Sequence, residues 1–387
     1  MTNAFHKRLK RHVIGRHREY FAVTSPGLEA LCRRELMTIC PDYAKPEIED
    51  GGVRFNGRLD DCMLANLKLR TANRILMRVA EFRASGFARL QNQTARIQWE
   101  LFLRPGANLK IRVATHHCRL YHTTAVAERI AEGIQARLGA VPSHETADQQ
   151  LLFVRGVDDR FTVSLDSSGA LLYRRGLKSH RARAPIRETT AAAALMLARF
   201  SPAQTMLDPM CGSGTFALEA AMQIAGIPAG WFRRFAFFNW PAFTPERWAH
   251  LKKQSAPAPQ VEAGHRIIAA DIDPEACRVL KRCVDRFDLA GVVDVVNGDF
   301  FDHALVSAGS VPGLLILNPP YGRRLGSKRQ SDHMLGRIAS KLQSDYKNWK
   351  FVLVVPRSSL LSGLPFKFKV HPITHGGLHI KLTYGRI

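Results

Sequence analysis

The sequence predicts an α+β region followed by an α/β unit with a doubly wound, mainly parallel sheet. Three observations carry this. From about Thr205 onward, short apolar runs alternate with helical stretches in a strand, loop, helix rhythm. The first of those runs leads into a glycine-rich turn, Asp208-Pro209-Met210-Cys211-Gly212-Ser213-Gly214-Thr215. The first 175 residues or so mix alternating strands with helices and lack that rhythm.

In chain order, Tyr20–Thr24 reads as a strand and Pro26-Gly27 as a turn. Leu28, Leu31, Leu36 and Ile39 give the apolar face of a helix. Residues 49–55 read as a turn into a strand, 59–70 and 123–138 as helices, and 109–113 and 161–165 as half-buried strands. Residues 188–200 are Ala-rich and helical. Candidate strands follow at 204–208, 266–271, 292–297, 313–318, 350–355, 366–371 and 378–384, with helices after the first, second and fourth. An aromatic insert, Trp231 to Trp248, and a surface loop, 254–260, separate the first two strands.

Charge narrows the partners. Among 387 residues, Lys and Arg exceed Asp and Glu enough to give a formal net charge of +23, and the pI is near 10.2. Residues 1–18 hold Lys7, Arg8, Lys10, Arg11, Arg16 and Arg18 with no acid. A second acid-free stretch carries Arg174, Arg175, Lys178, Arg181, Arg183 and Arg187. Both fit phosphate contact, and so a polyanion such as RNA. Neither shows the amphipathic spacing and aromatic anchors of a membrane-surface helix, and no apolar run is long enough to span a bilayer. Residues 1–18 lack an apolar core and read as a basic flexible arm, not a secretory signal. Seven irregularly spaced cysteines read as reduced thiols of a cytoplasmic protein, with no metal site.

The motifs sit at the ends of the predicted strands, where doubly wound folds bind ligands. Gly212 and Gly214 let the backbone approach a ligand, and the helix after them points its N-terminus at a carboxylate. Asp271, ending the second strand, suits a ribose diol; Asp273 competes as the N-cap of the helix that Pro274 opens. Asp299 follows the third strand and suits an adenine amino group, with Phe300 against the ring. The fourth strand ends in Asn318-Pro319-Pro320-Tyr321. There an amide oxygen and the Pro319 carbonyl can hold an exocyclic amine, with an aromatic face beside a flat base. No phosphate-loop or dinucleotide fingerprint is present. Together the motifs point to methylation of a planar nitrogen by S-adenosylmethionine. Cys211, inside the loop, reads as a packed residue and not as the thiolate that carbon methylation would need.

These motifs, with Ser25-Pro26-Gly27-Leu28-Glu29-Ala30-Leu31, Leu120-Tyr121-His122-Thr123, Leu165-Asp166-Ser167-Ser168-Gly169, Leu172-Tyr173-Arg174-Arg175-Gly176 and Ala184-Pro185-Ile186-Arg187-Glu188-Thr189, resemble bacterial THUMP-domain RNA guanine-N2 methyltransferases. The likeness is to the N-terminal methyltransferase half of the large-subunit rRNA enzymes, over roughly residues 19–387. It implies a ferredoxin-like plus THUMP RNA-binding region over 19–175 and a Rossmann-like class I methyltransferase domain over 176–387. It also implies S-adenosylmethionine as cofactor, a guanine amino group in 23S rRNA as acceptor, and Glu188 and Thr189 beside the cofactor; capping of the 189–200 helix is the competing role of that pair. The family turn continues Gly-Glu-Arg-Leu, whereas this chain has Gly322-Arg323-Arg324-Leu325, and Arg323 and Arg324 suit phosphate contact. A tRNA guanine, an adenine N6 amine and a glutamine amide are the competing acceptors. An RNA-binding assembly factor with a vestigial methyltransferase domain is the non-enzymatic alternative.

Overall fold

The computed structural model describes residues 3–139, 149–177, 186–258, 267–302, 305, 311–320, 328–356 and 364–387. The chain forms two compact units. The first comprises Met1–Thr24, Cys32–Leu172 and Arg233–Ser255; the second comprises Ser25–Leu31, Tyr173–Phe232 and Ala256–Ile387. Two short excursions therefore cross the division at 175/176 expected from sequence.

The first unit is built on a seven-stranded sheet of order β2-β3-β1-β4-β7-β6-β5. Its strands are β1 (Arg18–Thr24), β2 (Glu47–Glu49), β3 (Gly52–Gly57), β4 (Ala72–Arg83), β5 (Leu109–His116), β6 (Gln150–Val157) and β7 (Arg160–Asp166). Among the described residues of this sheet, only β5 and β6 pair in parallel, as expected for strands joined through a helix, here α5 (Thr123–Leu138). The aromatic insert belongs to this unit: Phe235, Phe237 and Trp240 are buried in its core. Trp240 Nε1 donates to Gln150 Oε1 at 2.9 Å, which satisfies the indole once it leaves water.

The stretch expected to be a flexible arm is helical. α1 (Asn3–Leu9) runs into a π-helical turn, Lys10–Ile14. The reason is burial: Leu9, Val13 and Ile14 enter the core, and Phe5 packs against it. Arg8 and Arg137 both bind the Glu100 carboxylate, at 2.6 and 2.9 Å. These partners, Arg137 foremost, hold the Glu100 carboxyl at about 2, far below its usual 4.5. A depressed acid contributes stability that is present above pH 4.5 and is lost as pH falls toward 2. Glu100→Gln should therefore lower unfolding stability at pH 7 by about 1–2 kcal/mol, allowing for solvent screening. Denaturant titrations of both proteins should converge as pH drops through that window. A gap that persists at pH 2 would show that the pair is not the cause.

The second unit carries the other seven-stranded sheet, of order β10-β9-β8-β11-β12-β14-β13. Its strands are β8 (Met206–Asp208), β9 (Ile267–Asp271), β10 (Val293–Asn297), β11 (Leu314–Leu317), β12 (Lys350–Val355), β13 (Phe368–His375) and β14 (Leu378–Arg386). β8 to β12 are mutually parallel, and β14 runs antiparallel to both neighbours. Helices α7 (Thr215–Ile224), α9 (Pro274–Arg286) and α10 (Lys328–Asp345) follow β8, β9 and β11. The central strands read as continuous apolar runs because both faces are covered: every residue of β8 and β11 is buried. From β8 the chain winds outward through β9 and β10, then returns to the other side of β8 for β11 and β12. The order thus reverses between β8 and β11, and that reversal opens a crevice at the carboxyl edge. Among the described residues, no helix is long and apolar enough to cross a membrane.

Candidate active site

The crevice is framed first by the turn after β8. Asp208 ends that strand fully buried. The chain is then pinned across the strand ends, because Cys211 N donates to Ala270 O at 2.9 Å and Gly214 N to Cys211 O at 2.8 Å. Gly214 has φ +71°, and a Cβ there would lie 2.3 Å from Leu280 Cδ1, so only glycine fits. Gly212 also has positive φ, but open space surrounds the place of its missing Cβ. The loop is therefore packed tightly at Gly214, where α7 begins, and open at Gly212. Thr215, the first residue of α7, is buried, and Ser213 is half-buried. Pro209 is buried beside Asp208.

Register places the other strand ends beside this loop. Asp208 pairs with Ala269, so Asp271 lies two residues further out. Its Oδ2 accepts from Gly212 N at 2.7 Å and its Oδ1 from Asp273 N at 3.0 Å. Each carboxylate oxygen has a second lone pair, so Asp271 keeps acceptor capacity while its orientation is fixed. Asp273 caps α9, accepting from Glu275 N at 2.9 Å. Asn297, which sequence reasoning passed over, ends β10 level with Asp271. Its Nδ2 donates to Asp271 O at 2.9 Å, tying the two strand ends together. A polar residue closing the third strand was the available signal. Asp299 accepts from Phe301 N at 2.9 Å and shapes the turn after β10. Phe300 does not stand against a ligand ring: it is 2% exposed and packs with Phe301 and Tyr346 in the core below.

Asn318 follows β11 directly and is half-buried, and Pro319 behind it is buried. β11 pairs with β8 through Leu314↔Met206 and Leu315↔Leu207. Asn318 thus emerges three residues beyond Leu315, on the far side of the switch point from Asp271. Pro320 is half-buried, and Tyr321, Arg323 and Arg324 lie outside the described residues, as do Lys178, Arg181 and Arg183. Glu188 opens α6 (Glu188–Leu197). Thr189 is fully buried, and its Oγ1 has no partner among the described residues. Thr190 Oγ1 lies 3.1 Å from His375 Nδ1.

Two expectations need correction or sharpening. Arg174 is exposed, but Arg175 is not an RNA-facing cation. Its side chain is 2% exposed and pairs with the equally buried Glu219 of α7, Nε to Oε2, at 3.2 Å. Its charge is met inside the unit by that carboxylate. Cys211 has the opposite history. Burial, aided by Asp208 and Asp271, pushes its thiol far above the ordinary range, so it is no nucleophile at neutral pH.

Known proteins resemble this chain over most of its length. The chain is 28% identical over 368 residues to slr0064 of Synechocystis sp., named as a candidate RNA methyltransferase; the match covers 93% of this chain and 94% of that protein. It is 30% identical over 380 residues to the ribosomal RNA large subunit methyltransferase K/L of Methylococcus capsulatus, covering 94% of this chain and 50% of that enzyme. The chain therefore spans about half the length of the K/L enzymes it matches. The solved structure of SMU.472, a methyltransferase by its description and complexed with SAH, superposes with a TM-score of 0.83 at 25% identity, covering 95% of this chain and 97% of that one. Residues 19–76 match the RlmL ferredoxin-like domain. Residues 175–371, half of the chain, match the RMKL-like methyltransferase domain, and the chain belongs to that family.

Proposed function

We propose that this chain transfers a methyl group from S-adenosylmethionine to the exocyclic N2 amine of a guanine in RNA, and that the RNA is 23S rRNA. One observation carries the reading. Asp208, the Cys211–Thr215 loop, Asp271 and Asn318 all lie at the carboxyl edge of one parallel sheet, around its switch point. The open side of Gly212 and the buried Thr189 hydroxyl, without a partner among the described residues, fit a bound cofactor. Asp208, Pro209, the Cys211–Thr215 loop, Asp271, Asp299, Glu188 and Thr189 are the residues that would hold it. When bound, S-adenosylmethionine supplies a methyl group on a sulfonium.

The chain's own contribution is orientation and charge. The amine lone pair of guanine is delocalised into the ring and is a weak nucleophile. The Asn318 side-chain oxygen and the Pro319 carbonyl accept from its N–H groups and hold it in line. The same two dipoles stabilise the positive charge that grows on nitrogen. No strong base is required, because the methylated cation gives up its proton readily. Tyr321 is the proposed stacking face for the base, and Arg323 and Arg324 the proposed phosphate contacts. The net charge of +23 supplies long-range attraction to RNA, which must weaken steeply with salt. The names of slr0064 and the K/L enzymes support RNA as the substrate.

The deciding experiment uses labelled S-adenosylmethionine and total RNA from a strain lacking the gene. The RNA is fractionated and its labelled nucleoside identified. N2-methylguanosine in the large rRNA is the expected result. Label in tRNA would move the acceptor, and N6-methyladenosine would overturn the guanine assignment. No label in any RNA, with cofactor demonstrably bound, would sink the enzymatic reading for free RNA.

A further inference from the structure

Gln343, Lys347, Phe366, Lys367, Arg386 and Ile387 line a cavity of about 490 Å³ in the second unit. Lys350 opens β12 opposite both Leu314 of β11 and Arg386 of β14. The cavity is therefore at the amino edge of β12, one strand length from Asn318, or roughly 13 Å along the sheet. Three elements build it. Lys347 follows α10, Phe366 and Lys367 lead into β13, and Arg386 closes β14.

Its chemistry is uneven in a telling way. Phe366 is half-buried and held by an edge-on contact with Phe351, centroids 5.4 Å apart, so a fixed ring forms one wall. Lys347, Lys367 and Arg386 are exposed and make no ion pair among the described residues. The acid nearest in sequence, Asp345, is taken by Lys341 at 2.9 Å. Lys350 is turned inward, donating to Arg199 O at 3.1 Å and to Gln204 Oε1 at 3.4 Å. Burial and the charges of Arg386 and Arg199 hold its ammonium below the ordinary lysine range, as a site with excess positive field should. Ile387 also lines the recess, with its main-chain O accepting from Asn348 N at 3.0 Å, and three cations around one recess favour an anion there. A flat ring beside such charges suits single-stranded nucleic acid, whose bases stack while its phosphates pair with cations. The volume is that of a small-ligand pocket, enough for one base, and Gln343 can donate to and accept from a base edge.

We propose that this recess is a second RNA-docking site. It takes one unpaired nucleotide, the base against Phe366 and the flanking phosphates on Lys347, Lys367 and Arg386. The proposal rests on RNA being the substrate but not on the methyl-transfer chemistry. Its test is read without catalysis: fluorescence anisotropy of a labelled 12-residue oligouridylate with the full chain. Lys347→Glu/Lys367→Glu should raise Kd about tenfold at moderate salt and flatten the slope of log K against log salt by about 1.4, the value for two single-strand phosphates. Phe366→Leu should raise Kd by about five- to tenfold and leave that slope unchanged. Lys281→Glu/Arg286→Glu, on α9, controls for bulk charge. A loss no larger than the control's, wild-type binding by Phe366→Leu, or no binding by the wild-type chain would each overturn the site. Label incorporation by the same variants, read separately, reports on the reaction itself.

Discussion

Asn318→Ala should reduce methyl transfer by about 10²–10³ in kcat while leaving RNA and cofactor affinity within about twofold. Removing one preorganised group that acts on charge developing in the transition state costs about 3–4 kcal/mol in comparable sites. The specificity of the effect comes from where Asn318 stands. It follows a strand whose four residues are all fully buried, so its backbone is held on both sides by β8 and β12. The alternative source of activation, a thiolate, is closed by the burial of Cys211. Asn318→Asp keeps an oxygen acceptor and should lose less, on the order of tenfold. Single-turnover label incorporation at saturating RNA and cofactor measures this directly. Activity within threefold of wild type for the alanine variant would mean that Asn318 does not act on the amine.

The second unit was more legible than the first, for physical reasons. Buried parallel strands announce themselves as unbroken apolar runs, as in Leu314–Leu317, and their ends carry the polar motifs. The first unit hides its central strand. β4 contains Arg74, Arg78 and Glu81, which break any apolar alternation. In the fold those charges are matched across the sheet: Arg74 binds Asp166, and Arg78 binds Glu19 and Glu49. A bulge between Arg78 and Ala80 shifts the register as well. Partners 29 to 92 residues away cannot be read from a local window. The same limit explains Arg175. Within Leu172–Arg187 it is one cation among several, and only the position of Glu219 on α7 separates it from its exposed neighbour Arg174. The N-terminal helix was missed because Lys7, Arg8, Lys10 and Arg11 interleave with the apolar residues that fix it, Phe5, Leu9, Val13 and Ile14.

Arg175 and Glu219 also give the largest expected effect on stability. Both side chains are essentially out of solvent, at 2% and 0% exposure, and two nitrogen–oxygen contacts join them at 3.2 and 3.4 Å. Desolvating such a pair costs about as much as the attraction returns, so the pair is close to neutral as a unit. Removing one partner is different, because it takes the opposite charge away from an ion in a low-dielectric interior. Glu219→Leu should therefore destabilise the second unit by about 3–5 kcal/mol, on the order of 10 °C in its melting temperature. Arg175→Met/Glu219→Leu removes both charges and should lose clearly less than the sum of the two single changes, with a coupling of about 2–3 kcal/mol in a double-mutant cycle. Calorimetry of the four proteins provides the cycle. Additive losses would mean that the two residues act independently of each other. If coupling is found, the pair joins the Leu172–Gly176 motif to the helix that begins at the glycine loop. The melting cycle should then be mirrored in the apparent KM for S-adenosylmethionine, because Glu219 ties Arg175 to the helix that begins at that loop. A large melting defect with unchanged KM would confine the pair to stability alone.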